Sequence, residues 1–166
     1  RDRLLTPANS NGFIPGEAGP AVLVGAAGEG LTVRGMGVAV EQATIESDEP
    51  LRGDGLAAAY RQALEAAGVE MHQIDYRIAD ISGEQYGFKE AALALAKTIR
   101  SRIEFQDIWH PADCVGETGA AALPCCVGVA YRAAREGYAP GPLALAQASN
   151  DDGRRAALIL SAGGSG

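Results

Sequence analysis

Short apolar runs of strand length alternate with longer stretches whose apolar residues recur at helical spacing, and this alternation confines the chain to the α/β class. The strand-like runs are residues 21–25, 31–40, 74–81, 105–110, 142–148 and 155–161. Helical stretches cover residues 54–67 and 85–102, and a third runs from Gly116-Glu117-Thr118-Gly119-Ala120-Ala121-Ala122-Leu123-Pro124 to Gly137. Right-handed crossovers place the first strands parallel, and residues 149–154 join the last two as a hairpin that adds an antiparallel edge. Sheets of this kind hold ligands in the loops beyond their strand carboxyl ends. Two loops qualify, residues 80–84 and 112–119.

Local signals sharpen the elements. In the first helix Leu56, Ala59, Tyr60, Ala63, Leu64 and Ala67 form one apolar face, with Asp54 as N-cap and Gly68 as stop. In the second, Ala91, Leu95, Thr98 and Ile99 mark the core face. Gly35 and Gly37 inside a strand mark a bulge or a close approach of backbones. The small residues after Gly116 allow tight packing at the head of the third helix, whose N-terminus presents free N–H groups.

With 166 residues, 47% of them hydrophobic, the chain suits one ordinary core. Its formal charge of −7 argues against nucleic acid or an anionic membrane as the main partner, since both require a basic footprint. There is no membrane-spanning run and no signal-peptide pattern, so the chain reads as a soluble, reduced, cytoplasmic protein. Three cysteines without repeated spacing, Cys114, Cys125 and Cys126, read as small packing residues, with Cys114 near the site as the functional alternative. His110 reads as a strand-end packing residue. Asp80, Glu84, Glu117, Asp151 and Asp152 could gather round a hard cation, but the simpler reading makes Asp151 and Asp152 turn formers and Glu84 a solvated acid. No metal and no cofactor are expected. Gly28-Glu29-Gly30 is a turn, and neither it nor the closing Gly163-Gly164-Ser165-Gly166 has the helix and lysine of a phosphate loop.

Four segments in register carry a family resemblance. The passage from Gly12-Phe13-Ile14-Pro15-Gly16-Glu17 to Val24 resembles the G-F-x-x-G-E-G-x-x-A-x-V-L passage of β-ketoacyl synthases in the thiolase-like superfamily. Residues 72–80 are similar to the strand that delivers the family's first active-site histidine. Gly116, Thr118, Ala120, Ala121 and Pro124 match the G-N-T-x-A-A-S-x-P motif of the synthase III branch, and residues 156–159 resemble its closing strand. The resemblance implies the C-terminal half of a thiolase-like fold at residues 31–166, with a five-stranded mixed sheet in the order 3-2-1-4-5. Residues 1–30 would then be a linker and the last strand of an N-terminal half. It also implies acyl carrier protein or acyl-CoA as partner, self-association or a protein partner, and Gly116, Thr118, Gly119 and Asn150 as substrate-binding residues.

The departures fall on the chemistry. The family uses two donors from this half, His with His or His with Asn, to hold a thioester carbonyl while a cysteine of the other half carries the acyl group. At those positions this chain has Asp80 and Glu117. An ionised carboxylate only accepts hydrogen bonds and repels a developing oxyanion, although two neighbouring acids can share a proton and leave one able to donate. The family's usual lysine is replaced by Ala112, and its glycine run by the acidic Ser149-Asn150-Asp151-Asp152-Gly153. Three readings follow: a degenerate synthase kept as partner subunit, adaptor or acyl-group binder; an active 3-oxoacyl synthase whose cysteine lies upstream; and a structural assembly module.

Overall fold

The computed structural model describes residues 3–26, 30–103 and 105–163. In chain order its main elements are β1 (Leu31–Val40), α1 (Asp54–Ala67), β2 (Tyr76–Ala79), α2 (Gln85–Thr98), β3 (Asp107–Trp109), the single turn α3 (Ala112–Val115), α4 (Ala122–Glu136), β4 (Leu143–Ser149) and β5 (Arg154–Ala162). Most of the expected turn at Gly28-Glu29-Gly30 and of the closing glycine run lies outside the described residues.

The five strands form one mixed sheet in the order β1-β5-β4-β2-β3. This corrects the expected order 3-2-1-4-5: β1 lies at an edge beside β5, not between β2 and β4. Strand length accounts for the difference. The four residues of β2 pair in parallel with β3 and β4, whereas β1 needs a long partner and finds it in β5, from Leu31 opposite Ala162 to Val40 opposite Arg154. The hairpin strand β5 is therefore the antiparallel member, but it is internal and not an edge.

One face of the sheet packs on α1 and α2, the other on α4. On α1, Leu56, Ala59, Tyr60 and Ala63 are fully buried, as their helical spacing requires. They meet β1 where its side chains vanish: a Cβ on Gly35 would lie 2.1 Å from the Ala63 carbonyl oxygen, and one on Gly37 2.0 Å from that of Ala59. Only glycine lets helix and strand approach this closely, and the sequence-level bulge appears between Val33 and Gly35. Gly53, not Asp54, precedes the helix, at φ 65° and without a side-chain cap; Asp54 is free to pair with Lys97 and Arg52. The helix α2 ends at Thr98, short of the expected 102, and buries Glu90, Ala91, Ala94 and Thr98, with Leu95 and Ile99 at the margin of the core.

Two further expectations are corrected. Residues 21–25 form no strand, and Leu23 is fully exposed, because no strand among the described residues lies alongside them. Cys114 is exposed on the α3 turn and is not a core residue, whereas Cys126 is buried and Cys125 partly so. His110 does pack as expected, edge-on to Phe88, with burial holding its pKa below the ordinary histidine value.

Candidate functional site

Beyond the carboxyl ends of β2 and β4 lies a cavity of about 470 Å³. Asp80, the residue after β2, and Glu117, in the loop before α4, both line it. Its remaining wall comes from the start of α2, the head of α4 and the residues before it, the β4–β5 hairpin, Ile45 and the N-terminal segment. The two acids thus share one cavity, which lies where an α/β sheet offers one.

The two carboxyls differ in setting. Asp80 accepts the Ser149 backbone N–H at 2.5 Å on Oδ2. Burial pushes its pKa up to about 7; the Ser149 bond works against that rise and the neighbouring Glu117 adds to it. Asp80 therefore keeps its proton to a higher pH than an ordinary aspartate, and the protonated form can donate a hydrogen bond. Glu117 folds back so that Oε1 accepts the Gly119 N–H at 2.7 Å, while its backbone pairs with the N-terminal segment, N–H to Ile14 O and carbonyl to Gly16 N–H, each at 2.8 Å.

Of the four residues expected to bind substrate, Gly119 and Asn150 line the cavity. Gly116 and Thr118 instead line a small adjoining recess with Asp80, Glu117, Cys125 and Cys126. Gly116 has a structural task there: it sits at φ 75°, and a Cβ would lie 2.8 Å from the Ile14 carbonyl oxygen.

The cavity also contains residues that sequence reasoning missed. Arg3 bonds Glu84 through Nε and Nη2 at 2.8 and 2.7 Å and Asp151 through Nη1 at 2.6 Å, and it lies over the Phe13 ring. Glu84 is thus an ion-pair partner, not a solvated acid. Glu90 on α2 pairs with Arg155 on β5 at 2.7 Å, both side chains 1% exposed. A signal existed for this pair: Glu90 interrupts the apolar stripe of α2, and Arg155 opens an apolar strand. Nothing in the sequence announces Arg3, which meets partners 81 and 148 positions away.

The hard-cation reading loses its ligands to these contacts. Glu84 and Asp151 hold Arg3, and Asp152 holds Arg154 through the backbone N–H at 3.0 Å and the guanidinium at 3.2 Å. Among the described residues, no group of three or more His, Cys, Asp or Glu is arranged to hold a metal ion.

No family model and no curated protein matches the sequence. Solved structures do match the fold. The ketosynthase ApeO in complex with its chain length factor ApeC, from Xenorhabdus doucetiae, superposes with a TM-score of 0.71 at 16% identity over 82% of this chain and 40% of that one. The complex AntDE:AntF, a type II polyketide synthase acyl-carrier protein with its ketosynthase bound to the hexaketide, gives 0.70 at 15% identity over 79% and 38%. A ketosynthase domain of OzmH from the oxazolomycin system of Streptomyces albus gives 0.67 at 16% over 80% and 31%. The chain spans less than half of each of these proteins, and its fold is a thiolase-like half-domain.

Proposed function

We propose that the chain is the C-terminal half-domain of a β-ketoacyl-synthase-like protein that no longer supports decarboxylative condensation and serves as a partner subunit, adaptor or acyl-group binder, in the cytoplasm and in fatty acid or polyketide biosynthesis. The observation that carries this reading is the pair Asp80 and Glu117, two carboxyls facing one cavity where the resemblance calls for two neutral donors. Neither has a cationic partner among the described residues, because Arg3 and Arg155 bond other acids. A carboxylate pair repels a developing oxyanion instead of stabilising it.

A protein partner is part of the proposal. The similar structures include a ketosynthase with its chain length factor and one with an acyl-carrier protein, and the β1 face opposite α1 leaves Val33, Met36, Val38 and Val40 exposed. A bare apolar strip of this kind suits a protein interface or self-association.

The test is incubation of the longest natural form with malonyl and acyl thioesters, followed by intact-protein mass spectrometry and assay of carbon dioxide release. The expected outcome is neither a covalent acyl group nor decarboxylation. A covalent acyl group, or carbon dioxide release that falls in Asp80→His/Glu117→Asn, sinks the degenerate reading. One observation favours that second reading, an active synthase with an upstream cysteine: the Asp80 pKa near 7 leaves a protonated fraction able to donate to a thioester carbonyl.

A further inference from the structure

The β4–β5 hairpin closes one side of the cavity, and Ser149 at the end of β4 supplies the N–H that holds Asp80, so whatever fixes this end of the hairpin also fixes the acid. The fixing group is the guanidinium of Arg155, which bonds neighbours of Asp80 and not Asp80 itself. Its Nε donates to Glu90 Oε1 at 2.7 Å, Nη1 to the Asn150 and Arg154 carbonyls at 2.8 and 2.9 Å, and Nη2 to the Tyr86 hydroxyl at 2.9 Å. The Tyr86 hydroxyl in turn donates to the Ala43 carbonyl at 2.6 Å. One planar, fully buried cation thus joins α2, the loop after β1 and the hairpin, and a guanidinium with its donors engaged on several sides has a fixed orientation.

The Asn150 carbonyl that receives Nη1 also accepts the Gly153 N–H at 3.0 Å, and the Asn150 N–H donates to Arg154 O at 2.9 Å. One residue back along the chain, Ser149 N–H meets Asp80. We propose that Arg155 is the positioning residue of this site: by holding the Asn150 carbonyl it sets the place of the Ser149 N–H and, through it, of the Asp80 carboxyl at the cavity wall. The inference rests on Asp80 being the acid of the site, as proposed above, and its test reads Asp80 directly and not turnover. Detection of synthase activity would overturn the degenerate reading and leave this inference standing.

The charged groups that act on Asp80 are Glu117 from the loop before α4 and Glu90 from α2, and Asp80 in turn acts on Cys126 of α4 and Tyr60 of α1. Arg155→Lys keeps a cation beside Glu90 and gives up the fork that reaches two carbonyls. The hydrogen bond from Ser149 favours the carboxylate, so loosening it raises the Asp80 pKa.

The experiment is a carbon-13 titration of the Asp80 carboxyl together with hydrogen exchange at the Ser149 amide. In Arg155→Lys the Asp80 midpoint should move up by about one pH unit, and Ser149 should exchange about tenfold faster, while the amides of α1 keep their protection. The second variant, Glu90→Leu/Arg155→Met, replaces both buried charges with apolar side chains and so leaves no lone ion inside. It should lose Ser149 protection to a similar degree. A folded Arg155→Lys with an unchanged Asp80 midpoint and unchanged Ser149 exchange overturns the proposal. If that variant fails to fold, the double variant decides, and retained Ser149 protection in it overturns the proposal equally.

Discussion

The two faces of β1 form the sharpest contrast in the molecule. Towards α1 the strand presents Gly35 and Gly37, and the helix residues opposite, Ala59 and Ala63, are fully buried. Towards the α4 side the same strand presents Val33, Met36, Val38 and Val40, exposed at 55–63%. α4 covers only the neighbouring strip, where Tyr76, Ile78, Ala144, Ala146 and Leu160 pack with Cys126 and Ala130. One face is a finished core built on backbone contact. The other is apolar and half covered, and it is the strip proposed above as an interface.

The largest effect should come from filling the closed face. Gly37→Ala would set a methyl 2.0 Å from the Ala59 carbonyl oxygen and 2.8 Å from the Ala63 N, both backbone atoms of a packed helix that cannot swing aside. Overpacking against backbone costs more than the ordinary 1–3 kcal/mol, so a loss of about 3 kcal/mol or more, or failure to fold, is expected in chemical denaturation. A loss below about 1 kcal/mol would show that α1 and β1 are not in rigid contact.

How far the sequence revealed this contrast depends on the kind of signal. The buried stripe of α1 was legible because helical spacing encodes it directly, and the close approach at Gly35 and Gly37 because glycine inside a strand has few other uses. Strand order was not legible. Periodicity reports which side of a strand is apolar but not which edge pairs, so it does not reveal that β1 lies at the edge beside β5. At the site, Asp80 and Glu117 stand out in the sequence because each lies within a segment that carries the family resemblance. Arg3 and the Glu90–Arg155 pair were missed because they depend on contacts 65 or more residues apart in the chain.

A middle-sized effect is expected where the closed face opens into the cavity. Burial on folding pushes the Asp80 pKa up from the ordinary 3.8 to about 7. Its proton affinity is raised on folding, so its stabilising contribution is full below pH 4 and is lost as pH rises towards 7 and beyond. Asp80→Asn removes that dependence. Discounted for solvent in the cavity, the variant should gain on the order of 2 kcal/mol over the native chain at pH 8 relative to pH 4. Parallel stability curves for the two proteins between pH 4 and 8 would show that Asp80 is not desolvated.

The smallest effect on stability should come from the open face, and its smallness is the informative part. Met36→Thr/Val38→Thr alters side chains that are 63% and 60% exposed and faces no packed helix. Threonine keeps the β-branch of Val38 and adds one at Met36, both of which suit a strand, so the isolated chain should change by no more than about 0.5 kcal/mol. Association is the property that should respond. If this strip is an interface, sedimentation at rising concentration should show the native chain gaining mass while the double variant remains a monomer. The reverse result, a marked loss of stability with unchanged association, would mean that these side chains already belong to a core, and the contrast between the two faces of β1 would disappear.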